Sequence, residues 1–189
     1  VTPRLLVLVP TAVALNLAVG RLVAALSLPV YLDTAGTVLA AALAGPAAGV
    51  VTGVVSQAIA GLTGGYVWLA FTPIQVLIAL LAALVAWRGG FRSAPLALGW
   101  GTIVGLLAGA ASSTISYFAF KGVTAGGVTA VTTLLRGVGF SLPQAVVLAS
   151  VATDVLDKAL TFLLVGLTLL ALPSRLLGRY PWALRALGR

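Results

Sequence analysis

Residues 152–164, "ATDVLDKALTFLL", place two carboxylates and an ammonium in a run that is otherwise lipid-soluble. The whole chain has three acidic residues, Asp33, Asp154 and Asp157, so two of the three lie here. Asp154 and Lys158 are spaced i, i+4 with the acid first, the better orientation for a helical ion pair, and Asp157 and Thr161 repeat the spacing. All four share one side of a helix. A charge at the middle of a bilayer costs at least about 2.5–3.5 kcal/mol, and such residues face a bundle interior or a wet cavity. An Asp154–Lys158 pair leaves Asp157 uncompensated, and Arg21 is the obvious counter-charge. Two readings stand side by side: a clamp between helices, or a polar ligand pocket.

The other candidates are polar or aromatic residues within apolar runs. Asp33, in "YLDTAGT", suits a helix cap and also the mouth of a pocket near Arg21. Asn16, Gln57, Thr72, Gln75, Ser112, Ser113, Ser116 and Gln144 each serve either a neighbouring helix or a ligand. Trp68, Phe71, Tyr117 and Phe118 serve either as an aromatic belt at the membrane interface or as a stacking surface. The set that could bind a substrate is therefore Asp154, Asp157, Lys158, Arg21, Asp33, Trp68, Gln75, Tyr117 and Gln144. No catalytic set emerges. The chain has no His and no Cys, which removes the usual neutral-pH base, thiol nucleophiles and the common zinc sites. There is no phosphate-binding glycine loop. The expectation is a non-enzyme without cofactor or metal.

The elements that must hold these residues follow from composition. Of the 189 residues 61% are hydrophobic and 7% charged, with mean hydropathy +1.18; a soluble domain carries about 25% charged residues. The apolar runs are long and lack strand-like alternation, so an all-α integral membrane protein is expected. A span needs about 20 apolar residues. Six helices are read, at about 5–26, 34–45, 47–62, 67–87, 95–120 and 143–172, in a single transmembrane domain. The second and third are short and are separated by Gly45-Pro46, a turn signal. Residues 121–142, rich in Gly and Thr, form an outer loop, either a lid or a linker. The tail, residues 173–189, reads as a basic cytoplasmic segment. Tyr180 and Trp182 would anchor it at the interface, with docking to a partner as the other reading. Val1 is either a start codon read literally or a trimmed end.

The net charge of +8 comes from nine Arg and two Lys set singly at the ends of apolar runs, which is the membrane-topology pattern rather than a nucleic-acid footprint. Six helices put both termini on one side. That side would carry Arg4, Arg88, Arg92, Arg175, Arg179, Arg185 and Arg189, against Lys121 and Arg136 opposite, so both termini are expected in the cytoplasm. The Ala-, Gly-, Leu- and Arg-rich composition suggests a bacterial, GC-rich source, hence the bacterial cytoplasmic membrane. Ala14-x-x-x-Ala18 in the first helix lets another helix approach closely.

Three stretches, "LPVYLDTAGT", "AGPAAG" and "DVLDK", resemble the substrate-specificity (S) components of energy-coupling factor (ECF) transporters. The resemblance runs over nearly the whole chain: an alanine-rich first helix, an outer Leu-Pro…Asp segment, a short second helix ending in Gly-Pro, and six helices. Ser56-Gln57 stands where the family has Ser-Asn, and the fit is best to S components without an assigned vitamin. The resemblance implies a subunit that captures a small water-soluble nutrient (a vitamin, precursor or nucleobase-like molecule) from outside. Delivery would go through a membrane T subunit driven by two cytoplasmic ATPases, with Ala14 and Ala18 on the docking face and the charges of the last helix in the ligand cavity. The competing class is a standalone proton-coupled carrier or channel using those carboxylates as a relay; a membrane scaffold or sensor without ligand is a third.

Overall fold

The structure, a computed structural model, describes residues 3–26, 28–124 and 127–189; Val1, Ser27 of the outer segment and two residues of the expected outer loop lie outside them. The chain is all-helical, 81% helix, with no strand among the described residues. In order the helices are α1 (Pro3–Ala25), α2 (Ala35–Ala44), α3 (Pro46–Gly64), α4 (Val67–Ala70), α5 (Thr72–Trp87), α6 (Ala94–Phe120), α7 (Gly127–Gly137), α8 (Leu142–Ala171), α9 (Ser174–Leu177) and α10 (Pro181–Ala186).

Proline marks the first turns of α3, α5, α6, α8 and α10, where its missing N–H would be unpaired anyway and its fixed φ suits a helix. Gly45, at φ 92°, turns α2 into α3. A Cβ there would meet the Trp182 ring at 2.7 Å, so both the conformation and the space call for glycine. The expected fourth helix, about 67–87, is broken at Phe71 into α4 and α5.

Three helices, α1, α3 and α6, are long and apolar enough to cross a membrane. With 30 residues, α8 is about 45 Å long; the charges at 154, 157 and 158 are what set it apart from them. The bundle is inside-out relative to a soluble protein. Leu6, Val7, Leu22, Leu62, Leu106, Leu107 and Leu164 are exposed, whereas Asn16, Gln75, Ser112, Asp154, Asp157 and Lys158 are buried. An apolar exterior around a polar interior is the arrangement a lipid solvent selects.

The most extensive helix contact joins α6 to α8, and glycine makes it. A Cβ on Gly105 would lie 2.5 Å from the Val155 Cα and 2.6 Å from the Asp154 carbonyl; one on Gly109 would lie 2.7 Å from the Val151 Cα. Gly101 meets the Lys158 carbonyl and Phe162 in the same way. This Gly-x3-Gly-x3-Gly stripe brings the backbones together and presses the charged stretch of α8 against the serines of α6.

Two expectations change. The outer loop holds a helix, α7, whose buried Val128 and Thr132 face inward and which packs along α8. The tail does more than lie at a surface: Leu177, Ala183, Ala186 and Leu187 belong to the main apolar core with Tyr180 and Trp182 packed against it. Phe91 donates its N–H to the Ala186 carbonyl at 3.0 Å. The Arg4 guanidinium donates to the Arg179 carbonyl at 2.8 Å, so the start of α1 and the tail share one end of the bundle. The physical reason is helical spacing: the tail's apolar residues line one face of short helices and find the ends of α2 and α5, leaving the arginines outside.

Candidate functional site

The charged stretch of α8 meets the connector between α1 and α2. One oxygen of Asp157, Oδ1, accepts the N–H of Tyr31 at 2.9 Å and that of Leu32 at 2.6 Å; the other, Oδ2, accepts from the Lys158 ammonium. Leu32 holds the left-handed conformation, φ 50°, uncommon for a non-glycine residue, and its N–H is fixed by this carboxylate. Asp157 is 0% exposed and Lys158 2%. Lys158 also lies 3.9 Å from Asp154. The expected i, i+4 pairing with Asp154 is therefore secondary: Lys158 engages its neighbour Asp157 first, and Asp157 is compensated. Thr161 does not pair with Asp157; its hydroxyl has no hydrogen bond among the described residues.

Asp154 faces the other way, across the glycine stripe. Ser112 donates its hydroxyl to Asp154 Oδ2 at 2.6 Å. This helix–helix hydrogen bond closes one wall of a cavity of about 60 Å³. Its remaining walls come from Tyr31, Asp33 and Thr34 of the connector, Gln57 of α3, Trp68 of α4, Phe71, Gln75 of α5, Ser116 of α6, Val128 of α7 and Ser150 of α8. A second hollow, of about 240 Å³, adjoins it and shares Asp33, Gln57, Trp68 and Gln75, with Arg21, Asn16 and Thr63 on its far side.

A hydrogen-bond chain fixes the shared wall. Asn16 donates to Thr37 at 2.9 Å and to Ser56 at 3.0 Å, and accepts the Gly36 N–H at 2.7 Å, tying α1, α2 and α3 together. Thr37 donates to the Gln75 Oε1 at 3.1 Å. The Gln75 amide nitrogen in turn approaches the Asp33 carboxylate and carbonyl at 3.5 Å. Asp33 does not cap α2, which has Thr34 at its N-cap and no side-chain cap. Burial raises the Asp33 carboxyl from its usual 3.8 to about 6, with the Lys158 ammonium opposing; the residue is half-buried and lines both hollows.

Several lining groups are left without protein partners. Thr34 and Ser150, each 1% exposed, have hydroxyls with no hydrogen bond among the described residues. The Gln57 side chain, also buried, lines both hollows. Buried polar groups of native proteins are nearly always paired, and the two unpaired hydroxyls of Thr34 and Ser150 belong to residues that line the cavity.

The nine expected binding residues divide. Asp33, Trp68, Gln75, Asp154 and Lys158 line the smaller hollow, and Asp157 stands behind it. Arg21 is not the counter-charge of α8: it borders the second hollow and donates to Thr63 at 3.0 Å, because the turn of α1 that carries it faces α3. Gln144 is exposed and closes a capping box with Ser141, accepting its N–H at 3.1 Å and its hydroxyl at 2.8 Å; its position at the third residue of α8 predicts this. Tyr117 lies edge-on to Phe118 with Lys121 over its ring, away from the cavity. Ala14 and Ala18 are exposed on α1. Thr34, Ser150 and Tyr31 join the lining without having been singled out; Tyr31 and Thr34 flank Asp33 so closely that its placement brings them in.

No family model, curated protein or solved structure matches the chain.

Proposed function

We propose that the chain is the substrate-binding membrane subunit of an importer of the ECF type. It captures a small water-soluble nutrient in the cavity between the connector, α5, α6 and α8. The observation that carries this reading is the cavity lined by buried charged groups and by residues with unpaired hydroxyls, built inside a bundle whose exterior is apolar. A purely structural clamp needs no such hollow. In this reading α1, α2, α3, α4–α5, α6 and α8 are the six membrane helices. The arginine-rich end that holds both termini is cytoplasmic by the positive-inside rule, in a bacterial cytoplasmic membrane. The connector and α7 then lie on the outer side and gate the cavity, and the exposed Ala14 and Ala18 of α1 offer the small-residue face on which a T subunit docks.

The test is co-expression with candidate T subunits and ATPase pairs, followed by uptake in proteoliposomes. The expected result is co-purification of the four-part complex and uptake that requires ATP. Ala14→Trp and Ala18→Trp should abolish uptake while ligand binding stays. Uptake by the isolated chain that collapses with a protonophore would replace this reading with a proton-coupled carrier.

A further inference from the structure

Asp154, Asp157 and Lys158 are buried where α8 meets the connector, and the half-buried Asp33 of the connector lies on the same cavity wall as Asp154. Lys158 is committed to Asp157, which also holds two backbone N–H groups. Asp33 and Asp154 share the cavity wall with Lys158, which lies 3.9 Å from Asp154 as a second, longer ion pair; their hydrogen-bond partners, Gln75 and Ser112, are neutral, so one ammonium serves three carboxylates. Arg21, across the second hollow, is engaged by Thr63 and makes no ion pair among the described residues. A low-dielectric site with more carboxylates than cations is unfavourable unless a carboxyl takes up a proton or a further cation completes it, and at neutral pH a bound cation does so without that proton.

Two further features point to the kind of cation. No group of three or more acidic, His or Cys residues is gathered as metal ligands among the described residues, whereas Trp68 and Phe71 line the same cavity and aromatic faces attract organic cations. The smaller hollow, about 60 Å³, suits a charged head group; the adjoining one, about 240 Å³, suits the body attached to it. Thr34 and Ser150, whose hydroxyls have no partner among the described residues, also line this wall, so a small turn of either side chain offers a hydrogen bond to an occupant.

Resting on the binding-subunit reading above, we propose that the substrate is a small organic cation. Its positively charged nitrogen sits between Asp33 and Asp154 and hydrogen-bonds Thr34 and Ser150, and its body runs past Trp68 into the second hollow. Arg21 there disfavours a second positive charge, so the substrate carries its charge at one end.

The experiment uses the full chain purified in detergent and freed of bound small molecules. The probes are three fractions of a bacterial metabolite extract separated by ion exchange at pH 7: cationic, neutral and anionic. The readout is the melting temperature. The cationic fraction is expected to raise it by several degrees, with little effect from the other two. Asp154→Asn, and separately Asp33→Asn, should weaken the response by roughly 10- to 100-fold in the concentration required, each variant first shown to elute as the folded wild type. Stabilisation by the neutral or anionic fraction alone overturns the charge assignment and leaves the binding reading intact. No stabilisation by any fraction overturns both. A cationic response unchanged in both variants overturns the placement between Asp33 and Asp154.

Discussion

Replacing Asp157 separates its two roles, because they fall on different oxygens. Both connector N–H groups bond to Oδ1, and Lys158 bonds to Oδ2. Asp157→Asn with its carbonyl at the Oδ1 position keeps both backbone bonds and turns an amide N–H toward the ammonium. Lys158, 2% exposed, is left with Asp154 at 3.9 Å. Removing one partner of a buried ion pair costs about 3–5 kcal/mol; the remaining carboxylate places this variant at the lower end, about 3 kcal/mol. Asp157→Ala additionally orphans two N–H groups, about 1–3 kcal/mol each, and frees the left-handed turn at Leu32. Lys158→Met leaves Asp157 its backbone donors but strands one carboxylate oxygen. The double variant Asp157→Asn/Lys158→Met removes both charges and should be milder than the two singles added, with a coupling of about 1–3 kcal/mol. Thermal melting in detergent followed by tryptophan fluorescence reads this directly, at roughly 2–4 °C per kcal/mol for a chain of this size. Singles that lose less than about 1 kcal/mol, or losses that add, would refute the buried Asp157–Lys158 pair, and an Asp157→Ala no less stable than Asp157→Asn would refute the clamp on the connector.

Other consequences follow from packing and charge. Gly105→Val places a side chain against the α8 backbone at Val155, where Cβ alone would sit at 2.5 Å. It should destabilise by at least about 1–3 kcal/mol, whereas Gly99→Ala, where a Cβ meets nothing within 4 Å, should stay within about 0.5 kcal/mol of wild type in the same melt. Gly45→Ala strains a positive φ and collides with Trp182, so trypsin should cleave the tail at Arg175 and Arg179 several-fold faster, and an unchanged rate would show that Trp182 does not seat the tail. The folded Asp33 carboxyl, raised from 3.8 to about 6 by burial, binds more protons than the unfolded one between those values. The stabilising proton is held at the acid end of this window and lost as pH rises through about 6. Wild type should therefore lose melting temperature relative to Asp33→Asn between pH 5 and pH 7.5; parallel curves would place Asp33 in water.

The pattern of apolar runs, Gly45-Pro46 and the helix-starting prolines made most helix ends legible, because they depend on local backbone chemistry. The polar side of α8 was equally legible, since i, i+4 spacing alone puts Asp154 and Lys158 together. What the spacing of α8 does not contain is the partner of Asp157: two N–H groups of a connector more than a hundred residues away, presented by an unusual turn at Leu32. The direction of Arg21 depends on the rotation of α1, and that rotation is set by Asn16 bonding Thr37 and Ser56. The glycines at 101, 105 and 109 were not singled out, since small residues four apart are common in a chain this rich in Ala and Gly, and their meaning lies in the α8 backbone that faces them. The tail's charge suggested a surface; its apolar face, on helices too short for periodicity to read, decides its packing.

The most direct measurement is mass spectrometry of small molecules released by denaturing the detergent-purified protein, wild type beside Asp154→Asn. The account predicts one metabolite enriched in the wild type and lost from a variant that remains folded. A folded wild type that releases nothing, or a metabolite held equally by both proteins, would contradict a substrate site at Asp154.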